Sequence, residues 1–115
     1  MTILEKAKEL GRELRNTEEY QILEEVNRRL NEDTGAQELI KSFQEAQRSL
    51  QFAQQSGVKP TEEQIADYQN RQKNLESNLN IIAYMKASDE FYAFMQQVNE
   101  AISAGLGEEK AEKAD

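Results

Sequence analysis

At 115 residues, with 37% hydrophobic and 31% charged side chains, the chain is about one domain long and poorer in apolar material than the roughly 45–50% (glycine included) of an average globular protein. Its net charge is −8, and acids outnumber bases in both halves: eleven to eight in residues 1–57 and eleven to six in 58–115. With never more than two Lys or Arg in a row, it lacks the basic stripe of a phosphate-backbone binder, so direct nucleic-acid binding is not expected.

Cysteine and histidine are absent, which removes disulfides, zinc sites and thiolate clusters. The first residues, MTILEKAKEL, mix charges into their apolar positions and do not read as a signal peptide. The longest apolar run, Ile81 to Met85, is far short of a membrane span. A cytoplasmic protein without membrane contact is expected. Helix formers dominate and period-two β-branched runs are missing, so the chain predicts an all-α fold. Its sparse core material favours a thin bundle or one completed by a second copy.

In chain order, a first helix is expected over about residues 2–15, with Ile3, Leu4, Ala7, Leu10 and Leu14 on one face. Asn16 with Glu19 resembles an N-cap and its capping-box partner. The second helix it opens would turn Tyr20, Leu23, Val26, Asn27 and Leu30 inward. Asp33 or Thr34 caps the third helix, and Thr34 with Gln37 fits a capping box.

That third helix, about 35–55, carries Leu39, Phe43, Ala46, Leu50 and Ala53 at alternating three- and four-residue spacing. QQSGVKPT follows, with Gly57 suited to a left-handed C′ position and Pro60 unable to continue a helix. Thr61 with Gln64 then opens a fourth helix bearing Ile65, Tyr68, Gln72, Leu75, Leu79 and Ile82. The two stripes predict a long antiparallel hairpin of helices three and four. Its seam is Leu39, Phe43, Ala46, Leu50, Ile65, Tyr68, Leu75 and Leu79. Gln72 either fixes register there or lies at a solvated edge.

The fourth helix is expected to reach about Ala87, and a fifth segment capped by Ser88 or Asp89 follows, either as a separate element or as a kinked continuation. Residues 1–104 would form the single helical domain. Residues 105–115, glycine-punctuated and polar, would form a disordered tail.

Catalytic raw material is limited to carboxylates. Glu5, Glu9 and Glu13 recur one turn apart, as do Glu63 and Asp67. Two-metal helical bundles add a Glu-x-x-His motif to such glutamates, and no histidine is present. NEDTGAQE, residues 31–38, lacks the alternating ligands of an EF-hand. Glu24–Arg28 and Glu25–Arg29 have the spacing of surface ion pairs, so these faces read as solvated. Arg12, Arg15, Arg28 and Arg29 are expected to pair with neighbouring glutamates.

The serines have no histidine to activate them and no GxSxG elbow, and the glycines match no phosphate loop. No catalytic, cofactor-binding or metal-binding residue is assigned. An oxygen-ligand metal enzyme is the least favoured reading. The denser apolar block is Ile81, Ile82, Tyr84, Met85, Phe91, Phe94, Met95 and Val98. It is too broad for one narrow stripe, so it either completes the core on two sides or forms an oligomer or partner surface.

The order of EKAKELGREL, EEYQILEEVNRRL, LIKSFQEAQRSLQFAQQSG, NLNIIAYMKA and FYAFMQQVNEAI resembles the YlbF/YmcA family of small helical bacterial proteins, and within it the uncharacterised YheA-like subgroup. The resemblance covers about residues 3–104 and rests on pattern over length. It implies an all-α helical-hairpin protein that self-associates, from a Firmicute-type bacterium. It also implies a link to competence, sporulation and biofilm formation through a complex that modulates messenger-RNA processing by ribonuclease Y. Some relatives hold iron–sulfur clusters through cysteines, which this chain lacks. The expectation is therefore a non-enzymatic, self-associating adaptor (a dimer or tetramer, with possible protein partners). An accessory role in ribonuclease-dependent processing is the alternative.

Overall fold

The structure, a computed structural model, describes the backbone of residues 1–114 and the side chains of residues 1–108. The described residues form five helices: α1 (Ile3–Arg15), α2 (Glu18–Glu32), α3 (Thr34–Gln55), α4 (Glu62–Glu76) and α5 (Leu79–Ala114). No strand occurs among the described residues. The chain divides into two units: residues 25–85, and residues 1–24 together with 86–115. The helices α2 and α5 each supply residues to both.

Local chemistry sets most of the helix ends. Thr2 caps α1 in a full capping box with Glu5, so two amide donors at that end find partners. Asn16 is the C-cap of α1 rather than the start of α2. The cap of α2 is Thr17, whose hydroxyl accepts from the Tyr20 amide at 3.3 Å and donates to the Leu14 carbonyl at 2.6 Å. One hydroxyl can close one helix and open the next, which the Asn16–Glu19 reading did not anticipate.

In the unit of residues 25–85, Asp33 caps α3 by accepting from the Ala36 amide at 3.0 Å. Gln37 does not complete a box with Thr34. Its side-chain amide donates instead to the Leu30 carbonyl at 2.9 Å, satisfying a group left open at the end of α2.

The helix α3 closes in a Schellman arrangement. The Gly57 amide donates to the Gln54 carbonyl, and the Val58 amide to that of Ala53. Gly57 has φ +72°, as its position demands. Thr61 and Gln64 form the expected capping box of α4.

The helices α3 and α4 pack antiparallel. Phe43 meets Tyr68 with ring centroids 5.1 Å apart, and the Arg71 guanidinium donates to the Ser42 carbonyl at 2.8 Å. Ala46 and Ala53 are buried on this face of α3, and such small side chains permit close approach of the backbones. Leu39, Phe43, Leu50, Tyr68 and Leu75 are half-buried, whereas Ile65, expected in the seam, and Gln72 are exposed. Gln72 therefore sits at the solvated edge.

The seam ends earlier than the spacing suggested. The helix α4 stops at Glu76, and no break occurs at Ser88 or Asp89. The Asn78 side-chain oxygen accepts from the Asn80 and Ile81 amides at 2.9 and 3.0 Å, capping α5 as Asn readily does. Leu79, expected in the seam, is the first residue of this new helix and is 80% exposed.

The core of this unit is small: Leu30, Ala36 and Ile81, with Leu39, Ile40, Leu75 and Tyr84 packed against them. No large side chain is completely buried among the described residues, in keeping with the low apolar content.

In the unit formed by the chain ends, Tyr20 of α2 meets Phe91 of α5 edge-on at 5.6 Å. The helix α5 continues through Gly105 and Gly107 to Ala114, over the stretch where a polar tail was expected. The side chains of 101–108 are all exposed. Those of 109–115 lie outside the described residues.

Candidate partner-binding surface

The apolar block read from the sequence separates by helical position. Ile81 is 4% exposed and lies in the core, with Tyr84 half-buried against it. It has no surface to offer a partner. One position on, Ile82 and Met85 turn outward and are exposed. In the unit of the chain ends, Phe91, Phe94, Met95 and Val98 are half-buried along one stripe of α5. Tyr92, Ile102 and Leu106 continue that apolar surface and are exposed.

The largest discrepancy lies at α1. Its apolar residues do fall on one face, but among the described residues nothing covers most of it. Ile3 is 83% and Leu4 81% exposed, Leu10 and Leu14 are half-buried, and Ala7 is exposed. Periodicity reports that a helix has an apolar face, not what lies against it. A second exposed apolar spot sits at the hairpin tip. There Phe52, 72% exposed, and Val58 border a hollow of about 250 Å³ with Ser49, Ala53 and Gln64.

Three of the five candidate carboxylates are engaged locally. Glu5 closes the cap of α1, Glu9 pairs with Arg12 at 2.9 Å and Asp67 with Arg71 at 3.1 Å. Glu5, Glu9, Glu13, Glu63 and Asp67 are all exposed. Among the described residues, no group of three or more acids is arranged to hold a metal.

On α2, Arg28 reaches Glu25 at 2.7 Å and Glu32 at 3.3 Å, and Arg29 reaches Glu25 at 3.2 Å. Glu25–Arg29 thus forms as the spacing predicts, while Arg28 chooses Glu25 and Glu32 over Glu24. The Arg28 hydrogen bond holds the Glu25 carboxyl below its ordinary pKa and raises that of Arg28. No helix among the described residues is long and apolar enough to cross a membrane.

These features define a small all-α protein built on a helical hairpin, with exposed apolar side chains on its terminal helices and at the hairpin tip. The chain belongs to the YlbF/YmcA family, described as control of competence regulator ComK, which it matches over residues 3–107. It is 31% identical over 106 residues to a UPF0342 protein of Limosilactobacillus reuteri, covering 92% of this chain and 86% of that one. It is also 31% identical over 104 residues to a UPF0342 protein of Streptococcus pyogenes, covering 90% and 92%. Among solved structures, that of Bacillus subtilis RicA in complex with RicF superposes with a TM-score of 0.81 at 19% identity, covering 92% of this chain and 94% of that one. At that identity the likeness concerns the fold.

Proposed function

We propose that this protein is a non-enzymatic, self-associating helical adaptor that works in the cytoplasm through protein contacts. The observation that carries the reading is the apolar surface of the terminal helices, Ile3 and Leu4 on α1 with Tyr92, Ile102 and Leu106 on α5. Exposed apolar groups of this size gathered on two helices mark interaction surfaces. Phe91, Phe94, Met95 and Val98 extend the candidate surface along α5, and Ile82 and Met85 form a separate exposed apolar pair in the unit of residues 25–85. The exposure of Glu5, Glu9, Glu13, Glu63 and Asp67 supports a role other than catalysis. Light scattering on the full chain at micromolar concentration is expected to give a dimer or tetramer, and a clean monomer would overturn the reading.

A second reading, that of an accessory factor in ribonuclease-dependent messenger-RNA processing, is favoured by membership of a family described by competence control. The fold it shares with RicA, which was crystallised with RicF, is compatible with it. With a net charge of −8, such a role would run through protein partners rather than RNA contact. Affinity purification from cells should then recover ribonuclease components, and their consistent absence would remove this reading.

A further inference from the structure

We propose that the uncovered face of α1 packs on α5 of a second copy of this chain, around residues 92–106, and that the exchange is reciprocal. The proposal rests on the self-association reading above and assigns it a geometry.

Two unpartnered apolar surfaces meet the requirement of such an exchange. On α1 the face is Ile3, Leu4, Ala7, Leu10 and Leu14, and its outer end is the most exposed. On α5 it is Tyr92, Ile102 and Leu106. Their charges are complementary. At helical spacing, Lys6 and Glu13 border one edge of the α1 face, and Lys8 and Arg15 border the other, and with Arg12 the helix carries four bases to three acids. Glu5 and Glu9 lie on the far side, engaged in the cap and with Arg12. The stretch 87–108 of α5 contains Asp89, Glu90, Glu100 and Glu108 and no Lys or Arg. Two copies of either helix facing each other would bring like net charges together, whereas α1 on α5 brings opposite net charges together.

One 13-residue helix is about 20 Å long and covers too little by itself for a specific dimer, which hides roughly 800 Å² per partner. A two-fold exchange supplies the contact twice and closes the assembly. An anionic membrane is the other surface that a basic-edged apolar helix could meet, but the net charge of −8 opposes it.

The absence of native cysteine makes the geometry directly testable. Full-length Leu4→Cys protein is mixed with Ile102→Cys protein, and separately with Leu106→Cys protein, and each mixture is treated with a short bismaleimide. The expected product is a mixed covalent dimer exceeding either homodimer. Predominant Leu4→Cys homodimers would overturn the proposal in favour of α1 pairing with α1. So would a Leu4→Cys/Ile102→Cys double variant that closes only within one chain.

In parallel, Ile3→Asp/Leu4→Asp is expected to become monomeric by light scattering with unchanged helical circular dichroism. A dimer that survives this change leaves self-association standing and sinks the α1 geometry. A wild-type monomer sinks both. Co-sedimentation of a monomeric wild-type chain with phosphatidylglycerol vesicles would assign the face to lipid and overturn the proposal.

Discussion

The hairpin unit and the unit of the chain ends use the same helical periodicity and reach different degrees of closure. In the first, α3 meets α4 through buried alanines, the Phe43–Tyr68 contact and the Arg71–Ser42 hydrogen bond. The Asn80 side-chain amide ties the start of α5 to Asp33 at 2.9 Å. In the second, Tyr20 meets Phe91, and large apolar side chains stand in water at both ends of the chain, as Phe52 and Val58 do at the hairpin tip. Amphipathic patterning therefore identifies two kinds of surface. One is covered by the chain itself, and the other is left for something else to cover.

The sharpest way to break this contrast is truncation on each side of it. Ile81→Ala removes a side chain from the core cluster and should cost about 2–3 kcal/mol, the lower part of the usual range because a core this thin can partly collapse. Urea unfolding measures it. Ile102→Ala in the exposed stretch should move the stability of the isolated chain by less than about 0.5 kcal/mol. Equal costs at the two positions would mean that the contrast in burial does not hold in solution.

Next in size are two changes within the hairpin, each worth about 1 kcal/mol. Gly57→Ala meets no atom within 4 Å, so its penalty comes from the backbone alone, at φ +72°. Arg71→Met keeps the aliphatic stem but loses the bond to Ser42. Thermal melts of both variants should show small, clear decreases, and an unchanged melt for Gly57→Ala would argue that the turn is not left-handed.

Where local chemistry specifies an element, the sequence was readable. Gly57, Pro60 and the Thr61–Gln64 box locate the hairpin turn without knowledge of any contact. The break at Ser77–Asn78 escaped because Leu75, Leu79 and Ile82 carry the apolar spacing straight through it. Only a side-chain cap by Asn78 interrupts the helix, with no glycine or proline to announce it. The candidate surface was half legible. The apolar density from Ile81 onward was plain, but core Ile81 and outward Ile82 are separated by one helical step that depends on where α5 begins. At α1 the face itself was read correctly, and its lack of cover depends on tertiary packing that no local pattern encodes.

The smallest effect, and the most selective, concerns acid. Asp33 accepts from the Ala36 amide and from Asn80, and these bonds hold its carboxyl below the ordinary value of 3.8. A carboxyl with a lower pKa folded than unfolded contributes stability that is fully present above the unfolded value. That contribution is lost as pH falls below 3.8 and through the lowered folded pKa. Glu25, lowered by Arg28 from 4.5, follows the same sign from the surface of α2, but salt screens it more readily. Asp33→Asn keeps a residue able to cap α3 while removing the titration. Stability measured by denaturant between pH 5 and about 2 should therefore fall less steeply in this variant than in the wild type. High salt should leave most of that difference in place. Identical slopes would mean that Asp33 does not hold α3 to the start of α5, and the polar tie that distinguishes the hairpin unit from the chain ends would have to be sought at Arg71 alone.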